Sequence, residues 1–302
     1  MAVTLVESSD IGLLTCIAEH RVLTSRQLAA IERRNVRALR RRLRYLDRNG
    51  LIRREPGPLR QARGRPELVV SLSLDGAGFL AERGVLDPRI DPARVVAPSR
   101  RLVAHELFVN ETRVALTQLS HSMPELTIRF VSPMSPWAPR WTPGRSFLCE
   151  RFRGPEGQRF ELVPDGAISV THTELAKTLL FFLEVDTGTE PLSSGSENRS
   201  DLWHKIVKYQ AYLASRRYRR FETLWECSLK GFRLLIVTST RSRCAAVCRL
   251  LREMRGTTLA MTTDCESLLR SGFGADVWVV GGQVDAARAS VLGSKMPNRA
   301  CI

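Results

Sequence analysis

The sequence predicts an α/β (α+β) chain built in two parts, and three observations carry that prediction. Residues 8–84 place apolar residues at helical spacing in three successive segments and then run into two short strand-like stretches flanking a Pro/Gly/Arg-rich tip. Residues 85–99, VLDPRIDPARVVAPS, are broken by three prolines and read as a linker. From 100 to 282 apolar strands alternate with amphipathic helices, which is the pattern of a mixed sheet covered by helices. The remainder, 283–302, reads as a flexible tail.

Composition narrows the class of partner. The chain has 302 residues, enough for two domains, and 43% of them are hydrophobic, enough for packed cores. Lys and Arg number 46 against 31 Asp and Glu, a formal charge of +15 that favours a polyanion, with double-stranded DNA the leading candidate. Seven cysteines are odd in number and scattered, without paired CxxC spacing, so neither structural zinc nor a disulfide framework is expected. No signal-peptide pattern opens the chain and no apolar run approaches the ~20 residues of a membrane span, so a cytoplasmic protein without membrane partners is expected.

In the first part, Ile11, Leu13, Leu14 and Ile17 share a helix face, with Asp10 as its expected N-cap. Leu23-Thr24-Ser25-Arg26-Gln27 opens a second helix, where the Thr24-to-Gln27 spacing suits a capping box. The third helix, 36–48, carries Leu39, Leu43 and Leu46 on one stripe, with Arg37, Arg40, Arg41, Arg42 and Arg44 around the rest. Asn49-Gly50 ends it. Two strands, 51–54 and 68–72, then flank the tip EPGPLRQARGRP. Three helices followed by such a hairpin give the order of a winged helix-turn-helix. A helix of this width enters the major groove, and a basic hairpin tip lies along the neighbouring backbone. Arg37, Arg40, Arg41 and Arg44 of the third helix, and Arg60, Arg63 and Arg65 of the tip, are the candidate DNA contacts.

In the second part a helix is expected over 101–120 and a strand over 126–131, before a Pro/Trp/Arg-rich stretch at 132–159 that reads as an irregular insertion or a β-excursion. Two apolar strands follow within FELVPDGAISVTHTELAKTLLFFLEVD, 160–186. A helix over 198–217, a strand at 232–237, helices at 242–255 and 264–271 and a buried strand at 275–280 complete the reading. The order of the core is αβββαβ. Pro164-Asp165 stands at the mouth of one strand, and Glu184 and Asp186 end the next, two residues apart and so on one face. A hairpin brings Asp165 beside them. Three converging carboxylates repel one another unless neutralised, and Mg²⁺ or Mn²⁺ would do so with Asp165, Glu184 and Asp186 as ligands.

This arrangement resembles the PD-(D/E)xK nuclease core, a restriction-endonuclease-like domain. The resemblance implies that Asp165 and Glu184 hold the metal; the lysine of that pattern is replaced here by Asp186. Lys205 and Lys208, on the following helix in HKIVKYQAY, are the candidates to supply the missing cation. The combination of an Arg-rich winged helix, VAHELFVNE with His105 and Asn110, then LVPDG, LEVDTGTE and Lys205, Tyr209 and Tyr212, resembles the replication-relaxation family of plasmids and integrative elements. That resemblance implies a role in replication or DNA relaxation of a mobile element. Two readings stay open: a Mg²⁺- or Mn²⁺-dependent nicking endonuclease acting through Asp165, Glu184, Asp186, Lys205 and Lys208, or a non-catalytic regulator or accessory factor. A relaxase or replication initiator is a partner compatible with either, as is a homodimer.

Overall fold

The computed structural model of the chain describes residues 7–58, 67–142, 145–155, 157–189, 191–192 and 201–293. It is a mixed α/β structure. The chain divides into two compact units, residues 1–114 with 134–138, and residues 115–133 with 139–302.

The first unit contains α1 (Ser8–His20), β1 (Val22–Thr24), α2 (Ser25–Ile31), α3 (Val36–Arg48), β2 (Ile52–Pro56), β3 (Leu68–Leu72), α4 (Leu74–Glu82) and the first part of α5 (Arg100–Ser122). The strands form one antiparallel sheet in the order β1-β3-β2. Helix α1 begins earlier than its sequence implies. Its N-cap is Glu7, and Asp10 sits in the first turn, where Oδ2 accepts the Glu7 N–H at 2.8 Å. The capping box of α2 forms as expected, the Gln27 N–H donating to Thr24 Oγ1 at 3.1 Å and the Thr24 N–H to Gln27 Oε1 at 2.9 Å. The leucine stripe of α3 is buried with Leu13, Ile17 and Val70. The proline-broken 85–99 segment is tied to this unit: Leu86 and Val95 enter the same core, and Val96 bridges to Leu72.

The second unit is organised by a six-stranded sheet. Its elements are β4 (Leu126–Val131), two small hairpins β5 (Arg140–Thr142) with β6 (Arg145–Ser146) and β7 (Glu150–Arg153) with β8 (Arg159–Leu162), then β9 (Gly166–His172), β10 (Lys177–Asp186), α6 (Leu202–Ala214), α7 (Arg220–Trp225), β11 (Arg233–Thr238), α8 (Arg241–Glu253), β12 (Ala260–Asp264), α9 (Cys265–Ser271) and β13 (Val279–Val280). The sheet runs β13-β12-β11-β10-β9-β4. Strands β10, β11 and β12 are parallel neighbours, while β9 joins β10, and β4 joins β9, antiparallel. The largest core cluster combines Phe182, Leu234 and Ile236 of the sheet with Ile206 of α6 and Val247 and Leu251 of α8.

Four features differ from the sequence reading. Strand β12 replaces an expected connection, because its TTD end reads as turn chemistry although all five residues of the strand are buried. The stretch at 275–280 pairs as strand over Val279–Val280, with Trp278 buried beside it and its indole N–H bound to Phe273 O at 3.0 Å. Helix α6 ends at Ala214, where the chain turns into a short 3-10 helix and then α7. Beyond Gly282 the described chain folds back through Gly293, burying Val291 and Leu292. The described cysteines are free thiols. Among the described residues no helix is long and apolar enough to cross a membrane.

Candidate functional site

The register of the β9–β10 pair sets the acidic residues. Gly166 pairs with Leu183, so Asp165, one residue earlier, falls opposite Glu184. One backbone and one side-chain hydrogen bond hold it there: the Asp165 N–H donates to Leu183 O at 3.0 Å, and Asp165 Oδ2 accepts the Val185 N–H at 2.7 Å.

Glu184 is 4% exposed, on the same face of β10 as Phe182. Helix α6 supplies two partners one turn apart. Tyr209 Oη donates to Glu184 Oε1 at 2.6 Å, and Lys205 Nζ lies 3.3 Å from Oε2. Burial and then the nearby Asp165 charge push the Glu184 carboxyl up to about 7, against the opposing pull of Lys205 and Tyr209. Burial and the Glu184 carboxylate raise the Tyr209 phenol well above its ordinary range, so it remains a proton donor in this pair.

Asp186 lies on the same face but is engaged elsewhere. Its Oδ2 receives Arg243 Nε at 2.9 Å, and its Oδ1 accepts the Gly188 N–H at 2.8 Å. The parallel pairing of Asp186 with Thr238 explains the first contact, since α8 starts three residues after Thr238 and delivers Arg243 to that edge of the sheet. Among the described residues, no group of three or more His, Cys, Asp and Glu side chains is gathered to hold a metal ion. Asp165 and Glu184 are the carboxylates whose charges act directly on one another. Asp186 is set apart from them by its pair with Arg243. Lys208 is half-buried one turn from Lys205, and its charge is felt at Glu161 of β8.

The arginines of α3 divide into two kinds. Leu39, Leu43 and Leu46 are at most 2% exposed, while Arg37, Arg40, Arg41 and Arg44 all face solvent. Among the described residues Arg40 makes a 3.9 Å ion pair with Glu67, which also lies 3.7 Å from Arg26. Arg42, in the same run, is different: it makes a bidentate pair with the fully buried Asp10 and stacks 4.6 Å over the Tyr45 ring. Arg60, Arg63 and Arg65 lie outside the described residues.

Several other residues have structural duties. The Asn110 side chain donates to His20 O at 3.0 Å and to Val22 O at 2.7 Å, pinning the turn between α1 and β1. His105 is half-buried on the same helix, and Glu106 pairs with Arg21 at 3.2 Å. Trp203 packs against the large core, and Trp137 donates its indole N–H to Val85 O at 3.3 Å. Sequence reasoning missed the buried carboxylate Glu150, held by Arg217 Nε at 2.6 Å and by Arg220. Sequence separations of 67 and 70 residues leave no local signal for that cluster.

The sequence profile of the replication-relaxation family matches residues 14–224. The chain belongs to that family. The matched span takes in Asp165, Glu184, Asp186, Lys205 and Tyr209, and stops before β11, so Arg243 stands outside it. No curated protein and no solved structure matches the chain.

Proposed function

We propose that this replication-relaxation protein binds duplex DNA through the arginine face of α3 and serves replication or relaxation of a mobile element. The observation that carries the reading is the exposed row Arg37, Arg40, Arg41 and Arg44 opposite a buried leucine stripe, in a chain of formal charge +15. Helices α1 to α3 with the β2–β3 hairpin are read as a winged helix-turn-helix, in which α3 enters the major groove and the hairpin tip with Arg60, Arg63 and Arg65 follows the backbone. Four guanidinium groups on one helix face suit phosphate and guanine edges, because each offers a planar donor fork. The test is fluorescence anisotropy of a labelled duplex titrated with the wild type and with the combined Arg37→Ala, Arg41→Ala and Arg44→Ala variant. Loss of binding in a folded variant supports the reading; unchanged binding overturns it.

A second reading, metal-dependent nicking of that DNA, is favoured by Asp165 lying across from Glu184 with Lys205 on the same carboxylate. In this reading the second unit is a restriction-endonuclease-like domain, Asp165 and Glu184 hold Mg²⁺ or Mn²⁺, and Asp186 joins them if Arg243 releases it. When bound, such an ion stabilises charge on phosphate oxygens and lowers the pKa of its water. Lys205 and Lys208 then supply positive charge beside the scissile phosphate, while Tyr209 orients the Glu184 carboxylate. Purified protein is incubated with supercoiled plasmid in Mg²⁺, Mn²⁺ or EDTA, beside Asp165→Ala and Glu184→Ala. Metal-dependent open circles that vanish in both variants support nicking. Binding without nicking makes the protein an accessory DNA-binding factor; recruitment of a relaxase or replication initiator, or a homodimer, is compatible with either outcome.

A further inference from the structure

A cleft of about 360 Å³ opens in the second unit where α8, α9 and the chain around β13 meet. None of its lining falls within the span matched by the family profile, which ends at residue 224. Its buried lining is apolar and soft, made by Val277 and Val279 with Cys244 and Cys248, while Ala245 is exposed at its rim. Its cationic groups are Arg241, Arg270 and Arg288.

The three cations lie at the exposed surface of the cleft. Arg241 Nη2 lies 3.0 Å, and Arg270 Nη1 3.7 Å, from the same oxygen of Glu266, so one carboxylate gathers two guanidinium groups. Arg288 Nη1 donates to the carbonyl oxygen of Val277, a lining residue, at 2.9 Å. Asp264 is the acid in the lining. Asp264 accepts both the Ser267 N–H at 2.9 Å and the Ser267 hydroxyl at 2.7 Å. Three arginines against Asp264 and Glu266 leave the cleft with excess positive charge. A cleft at the small end of the ~300–1,000 Å³ range for ligand sites, lined by exposed arginines and by buried apolar side chains, matches an anionic group carried on a compact apolar body.

We infer that this cleft binds a nucleotide, its phosphate against Arg241, Arg270 and Arg288 and its base over Ala245, Val277 and Val279. The nucleotide is either free or the 5′-phosphorylated end of a DNA strand; both present the same chemistry. The inference is independent of the arginine face of α3.

The test is isothermal titration of the full chain with dTMP, thymidine and inorganic phosphate, followed by competition for dTMP with 5′-phosphorylated and 5′-hydroxyl oligonucleotides. The expected result is saturable dTMP binding at least about tenfold tighter than that of thymidine or of phosphate, because each alone satisfies half of the site. Arg270→Gln lowers dTMP affinity about tenfold, and Ala245→Phe, which sets a ring at the cleft's exposed rim without changing charge, abolishes it while the melting temperature is retained. The α3 variant binds dTMP like the wild type. Competition by the phosphorylated oligonucleotide alone assigns the strand end; absence of competition assigns the free nucleotide. No dTMP binding, equal binding of thymidine, or full affinity in Ala245→Phe would overturn the inference.

Discussion

Tyr209 Oη and Glu184 Oε1 meet at 2.6 Å in the interior of the second unit, and Lys205, one helical turn before Tyr209, takes the other carboxylate oxygen at 3.3 Å. The spacing on α6 thus delivers a hydroxyl and an ammonium to one buried acid. Tyr209→Phe removes the hydroxyl and leaves Oε1 without its donor in a site where water does not replace it. The expected loss is about 1–3 kcal/mol of unfolding free energy, measured by urea denaturation. A loss near zero would mean that the bond is formed equally well with solvent.

Glu111, on α5 in the first unit, is pushed up to about 7, first by burial and further by Glu67, against the pull of its hydrogen bond with Gln27. Its folded-state value stands above its unfolded one, so the folded protein holds the proton more tightly. Stability from this group is complete below about pH 4.5 and falls as pH rises toward about 7, where the fall ends, with a ceiling of roughly 3 kcal/mol. Glu111→Gln removes the dependence. Melting temperatures of wild type and variant compared from pH 4.5 to 8 should diverge as pH rises, the variant becoming the more stable.

Neighbouring arginines on α3 should separate binding from folding. Arg42→Ala leaves the fully buried Asp10 carboxylate without its guanidinium, and its expected cost is about 3 kcal/mol. Arg41→Ala lies on the exposed face and should change stability by less than about 0.5 kcal/mol while weakening DNA binding. Thermal unfolding of the two variants, paired with duplex titration, reads both effects.

Gly76 is set by contact. A Cβ built there would stand 2.0 Å from the Leu51 carbonyl oxygen, so the start of α4 packs directly on the end of the loop after α3. Gly76→Ala must move backbone against backbone, and the expected destabilisation is about 3 kcal/mol by denaturant titration.

What could be read from the sequence follows the range of the interactions. The leucine stripe of α3, the Thr24–Gln27 box and the β4, β9 and β10 strands are encoded by periodicity and capping within a few residues, and each is present. The alternation along β10 likewise placed Glu184 and Asp186 on one face. The capture of Asp186 by Arg243 spans 57 residues, and nothing local announces it. Arg42 looks like its neighbours in sequence, and its burial partner sits 32 residues away. Strand β12 escaped because threonines and an aspartate serve turns as readily as a short buried strand.

The central claim, that the arginine face of α3 engages DNA phosphates, is tested most directly by the salt dependence of duplex affinity. The logarithm of the association constant is measured against the logarithm of salt concentration for the wild type and for Arg37→Ala, Arg40→Ala, Arg41→Ala and Arg44→Ala singly. A steep negative slope that becomes shallower by about one for each substitution that removes a phosphate contact is the predicted result. A slope unchanged by all four substitutions would contradict it.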